Sequence, residues 1–131
     1  MKKLDSIVIE RAEGPSVLCG IKIAYSFEEA DQILAENAET APKGAYDKHY
    51  VSVVFADDME FKTRIDVTNS PKKPPPPLLE TVLYHIKFEA GRLSPAEIPK
   101  TLDHNTYLSM VKHNGKNYEE ANRLLNEYSF E

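Results

Sequence analysis

A chain of 131 residues carrying a net charge of −5 is the size of one domain, and with 41% hydrophobic residues it can build a core of its own. No apolar run approaches the roughly 18 residues needed to cross a bilayer, and MKKLDSIVIE meets an acid directly after its first leucine, so neither a membrane span nor a signal peptide is expected. The one cysteine, Cys19, excludes an internal disulfide and suits a reducing compartment, so a soluble, intracellular protein is expected.

In chain order, Ile7 to Glu10 and Ser16 to Tyr25 are apolar and β-branched around the turn residues Glu13, Gly14 and Pro15, which predicts a strand pair. Cys19, beside Leu18 and Ile21, reads there as a small buried hydrophobe rather than a reactive thiol. Ser26 with Glu29 three residues later is a capping box, and Phe27, Ala30, Ile33 and Leu34 recur at helical spacing. That helix is predicted to end near Asn37, and Ala38 to Ala45 to be a loop.

The sharpest pattern lies in Gly44 to Thr68. Phe61, Thr63, Ile65 and Val67 alternate with Glu60, Lys62, Arg64 and Asp66, as in a strand with one dry face and one wet face. Before it, Tyr50, Val51, Val53, Val54 and Phe55 predict a more central strand, and Asp57 with Asp58 supplies the turn because Asp tolerates the left-handed backbone.

Residues 69–77, NSPKKPPPP, read as a stiff polyproline spacer. Beyond it Leu79, Val82, Leu83, Ile86 and Ala90 form one helical face ending at Gly91, and Tyr118, Ala121, Leu124, Leu125 and Tyr128 form another after an Asn117 cap. Ser94 to Lys100 predicts a turn or short helical start, and Asn105 to Val111 a further short helix. The whole is a single α+β domain, a small antiparallel sheet packed against helices. It has a sheet and one helix in 1–68, the spacer in 69–77 and a helical part in 78–131.

Candidate chemistry is thin. His85 and Glu89 stand one helical turn apart, but a metal site needs a third ligand that the sequence does not supply, and His85 borders an apolar stripe as a half-buried, hydrogen-bonded histidine would. The serines lie in no nucleophile-elbow context, Cys19 has no sequence-adjacent histidine, and the scattered glycines form no phosphate cradle. No cofactor is therefore expected. Asp47, Lys48, Arg64 and Asp66 could assemble an acid-base site, although Arg64 and Asp66 on one polar strand face make an ion-pair ladder the simpler account.

Charge is more informative. Residues 1–68 hold 13 acids and 8 bases, whereas residues 69–131 hold 8 of each, so the excess lies wholly in the first half. Glu28, Glu29, Asp31, Glu36, Glu39, Asp47, Asp57, Asp58 and Glu60 face only Lys43 and Lys48 within residues 28–60. Such a surface repels nucleic acid and attracts a basic protein.

The run Tyr25 to Thr68 resembles the small domains associated with large polyvalent proteins of phages, plasmids and conjugative elements, on Tyr25, Ala30, Gly44, Tyr46, Asp47, Lys48, Phe55, Asp57, Arg64 and Asp66. HIKFEAGR at residues 85–92 is similar to the family's helix ending in Ala-Gly-Arg. Ala45 stands where the family often has a second glycine, and Asp58 where an Asp-Gly turn is usual.

The resemblance implies a mobile-element accessory protein in the cytoplasm of a bacterial host. Size and charge are similar to those of small phage inhibitors of nucleic-acid-guided nucleases, which implies a non-enzymatic anti-defence protein bound to a host protein or nucleoprotein complex such as a CRISPR effector. The residues expected to carry that contact are Glu28, Glu29, Asp31, Glu36, Glu39, Asp57, Asp58 and Glu60, with Tyr46 and Tyr50 as anchors. The alternative is a DNA-processing or replication accessory that touches nucleic acid through Lys72, Lys73, Lys87, Arg92, Lys112, Lys116 and Arg123, which the net-neutral second half disfavours. The oligomeric state stays open.

Overall fold

The computed structural model describes residues 1–13, 17–41, 46–68, 76–93 and 118–131, except for the side chains of residues 13, 17–19, 46 and 68. Strands β1 (Leu4–Glu13), β2 (Val17–Ala24), β3 (Tyr46–Phe55) and β4 (Glu60–Thr68) form one antiparallel sheet in the order β2-β1-β3-β4. Helices α1 (Phe27–Thr40), α2 (Leu78–Glu89) and α3 (Tyr118–Glu127) complete an α+β fold. The predicted strand pair and hairpin are both present, with β3 central and β4 at an edge. The Cys19 side chain and the expectations for residues 69–75 and 94–117 lie outside the described residues.

Alternation decides which way each strand faces. Ile7 and Ile9 on β1, Val51, Val53 and Phe55 on β3, and Phe61, Ile65 and Val67 on β4 are buried together on the inner face. Helices α1, α2 and α3 add Phe27, Ala30, Leu34, Val82, Ile86, Ala121 and Leu124 to the same core, so both halves of the chain share it. The outer face carries Ser6, Val8 and Glu10 opposite Val54, Ser52 and Tyr50, Val8 and Glu10 also opposite Ile23 and Ile21, and Lys48, Tyr50, Ser52 and Val54 opposite Asp66, Arg64, Lys62 and Glu60. Tyr50, Ile21 and Ile23 are exposed on it.

The helix boundaries have local causes. Ser26 Oγ accepts from the Glu29 amide at 3.1 Å, while the Glu29 carboxylate accepts from the Tyr25 amide at 2.9 Å, one residue before the usual capping-box donor. Helix α1 runs to Thr40, three residues beyond its predicted end, because Asn37 and Ala38 still face the core and Thr40 bonds back to the Asn37 carbonyl. At the end of α2, Gly91 has φ +66, and Arg92 and Gly91 donate to the Lys87 and Phe88 carbonyls, a Schellman cap. In the β3–β4 turn Asp58 takes the left-handed backbone, with φ 68. Tyr118, expected on the buried face of α3, is exposed.

The chain ends meet at the β3–β4 turn. Lys2 and Tyr128 form a parallel bridge, and the Phe55 ring is met edge-on by Tyr128 at 4.7 Å and by Phe130 at 5.3 Å. Because Phe55 is fully buried, Phe55→Ala should cost about 3–5 kcal/mol, lowering the urea midpoint with little change in slope. A loss below about 1 kcal/mol would show that the terminal segment does not depend on that ring.

Candidate functional site

Two features on α1 stand out, an acidic outer stripe and a buried polar network at its C-terminal end. Turning Phe27, Ala30, Leu34, Asn37 and Ala38 inward leaves Glu28, Gln32, Ala35, Glu36 and Glu39 along the opposite side, all exposed. The helix carries five acids, Glu28, Glu29, Asp31, Glu36 and Glu39, and no base. Glu28 and Glu29 sit in the first turn, where the helix dipole favours them, whereas Glu36 and Glu39 approach the end where it does not.

The network begins with Arg11, which continues the inner register of Ile7 and Ile9 and meets His49 across the β1–β3 pairing. Its guanidinium is ion-paired with Asp47, Nε donating to Oδ2 at 2.7 Å. It also donates to Thr40 Oγ1 at 2.8 Å and to the Asn37 carbonyl at 3.3 Å, so a cation from β1 caps a helix that has no base in its last turn. His49, wholly buried, contacts Asn37 Nδ2 through Nε2 at 3.0 Å and the Asp47 carbonyl through Nδ1 at 3.2 Å. Burial pushes its imidazole below the ordinary value, with Arg11 adding to the shift and the Asp47 carbonyl opposing it.

The other described histidine, His85 on α2, touches Thr63 Oγ1 through Nδ1, and its Nε2 is buried with no hydrogen-bond partner among the described residues. Burial alone lowers its imidazole to about 4, so it is neutral at pH 7 and more deeply buried than its sequence position predicts. No group of three His, Cys, Asp or Glu able to hold a metal occurs among the described residues.

The predicted contact residues separate. Glu28 and Glu36 are exposed on α1, as is Glu39, while Glu29 caps its own helix. Asp31 accepts from the Leu78 amide at 2.7 Å, supplying α2 with the N-terminal cap that Pro77 lacks. Asp57 accepts from the Tyr128 hydroxyl at 2.7 Å and pairs with Lys2 at 3.2 Å. The Tyr128 hydrogen bond foremost, with Lys2 and the Met59 amide, holds the Asp57 carboxyl down at about 2. Asp58 lies in the same turn, Glu60 and Tyr50 belong to the outer sheet face away from α1, and the Tyr46 side chain is outside the described residues.

The acid-base constellation does not assemble. Asp47 is on the inner face with Arg11, whereas Lys48, Arg64 and Asp66 are on the outer face, where Arg64 and Asp66 form a two-pronged ion pair at 3.0 and 2.9 Å. Of the seven bases in the nucleic-acid alternative, three are described. Arg123 pairs with Glu127, Arg92 reaches Asn126 at 3.4 Å, and Lys87 is half-buried.

Sequence reasoning missed Arg11 and His49. Their signal was register, since both occupy the inward positions of strands whose other inward residues are apolar. No helix among the described residues is long and apolar enough to cross a membrane. No protein-family model, curated protein or solved structure matches the chain.

The network and His85 generate two predictions. Removing one partner of a mostly buried ion pair strands the other, so Arg11→Ala and Asp47→Asn should each cost about 3 kcal/mol, with the double variant losing far less than the sum. Simple additivity in that cycle would show that the pair is not coupled. Both imidazoles titrate lower when folded than when unfolded, so their contribution is complete above about pH 6.5 and is lost as pH falls through the lowered values, for His85 about 4. For His85 the loss is on the order of 3 kcal/mol, which urea titrations at stepped pH should detect and His85→Gln should remove. A flat stability profile over that window would contradict both assignments.

Proposed function

We propose that the protein is a mobile-element accessory that acts without catalysis, as an anti-defence inhibitor, by laying the acidic stripe of α1 into a basic surface that a host complex uses for nucleic acid. The observation that carries the reading is a helix with five acids and no base, four of the acids exposed. Glu36 strengthens it, because it stands where the helix dipole disfavours acids and so costs stability in the free protein. A nucleic-acid-guided nuclease such as a CRISPR effector offers the matching basic channel. In this reading the contact set centres on Glu28 and Glu36, since Glu29, Asp31 and Asp57 have structural partners. Tyr50 and Glu60, on the outer sheet face, would reach a second part of the partner or none.

The test separates folding from binding. Glu36→Lys should raise stability by about 0.5 kcal/mol and Glu28→Lys lower it by a similar amount, leaving the double variant as stable as the parent. The parent chain, used as bait at low salt, should retain a nucleic-acid-guided nuclease, release it as salt rises, and fail to retain it in the folded double variant. Undiminished retention by the double variant, or retention of nucleic acid alone, would overturn the reading.

A further inference from the structure

The two ends of α1 are held by different physics. Its first half is anchored by apolar side chains, Phe27, Ala30 and Leu34, set in the core. Its last turns bury no apolar side chain larger than Ala38 and, just beyond, Ala41. Polar ties there run from Arg11 to Thr40 Oγ1 and the Asn37 carbonyl and from Asn37 to His49. With Glu36 opposing the dipole and no base in the last turn, opening those ties weakens this end more than the first half.

The tautomer of His49 follows from its partners. The Asp47 carbonyl can only accept, so Nδ1 carries the proton, and Nε2 accepts from the Asn37 amide. A second proton on Nε2 sets a donor against a donor and places a second cation beside Arg11. Among the described residues the charged groups acting on the ring are Arg11 from β1, Asp47 from its own strand and Asp66 from β4, while α1 offers only the neutral Asn37. No exposed edge of the ring lets water relieve the charge in place, so the protonated ring is favoured in an opened state.

We propose that the Arg11, Asp47, His49 and Asn37 network is an acid-released latch: protonation of His49 frees the last turns of α1 from the sheet while the sheet and the first half of α1 stay folded. This holds whatever the partner of α1 is, since it concerns the free protein. Opening of this kind is a local unfolding step, in which the opened state binds the extra proton and so gains population as pH falls below about 6.5.

Amide hydrogen exchange of the whole chain, read residue by residue by NMR and corrected for the intrinsic effect of pH, tests the latch. Between about pH 7.5 and about pH 5, protection at Glu36 to Ala41 should fall about tenfold relative to Val51 and Val53. His49→Gln, which keeps a donor and an acceptor without titrating, should abolish the fall, and His85→Gln should leave it intact. Protection at Glu36 to Ala41 that follows Val51 at every pH in the parent chain would overturn the proposal. So would a relative fall that persists in His49→Gln.

Discussion

The ion pair between Arg11 and Asp47 is the constraint on which the placement of α1 depends. A guanidinium on the inner face of a central strand is tolerable only when its charge is matched and its donors are filled, and Asp47, Thr40 and the Asn37 carbonyl do both. One consequence is that the C-terminal end of α1 is capped by a residue far away in sequence. The start of α2 follows the same logic, since Asp31 of α1 accepts from the Leu78 amide where Pro77 offers no side-chain cap. Each helix end thereby becomes a tertiary contact, so forming the helix and docking it are one event.

This arrangement sorts the acids of the first half into two kinds. Asp31, Asp47 and Asp57 each accept from a named donor in another element, and each ties that element in place. Glu28 and Glu36 lie on the solvent side of α1, and Glu36 stands near the end of the helix that favours cations. A charge retained where the fold gains nothing from it is the physical basis for the inhibitor reading, because stability alone would favour its replacement. The −5 net charge of the chain does not distinguish these roles, and only the partners do.

Much of the fold was legible because its signals are local. The alternation from Glu60 to Val67, the Ser26 and Glu29 cap, the Asp58 turn and Gly91 after α2 each fix a conformation through neighbours in sequence, and each is found as read. The extension of α1 to Thr40 was not legible, because the donors that hold it come from β1. His49 and Arg11 were hidden for a related reason. A polar residue within a strand reads as solvent-facing until the register of its neighbours shows that it shares a face with Val51 or Ile9. Composition counts charges without showing which face bears them, and the structure divides Tyr50 and Glu60 from α1.

The state of the His49 ring tests this account most directly, because the buried network allows only one arrangement of its protons. Long-range proton–nitrogen NMR correlations of the imidazole at neutral pH should show a neutral ring protonated at Nδ1, with Nε2 as the acceptor. A ring protonated at Nε2, or a charged imidazolium at neutral pH, would mean that the contacts from Asn37 and the Asp47 carbonyl are not the ones that hold α1 to the sheet.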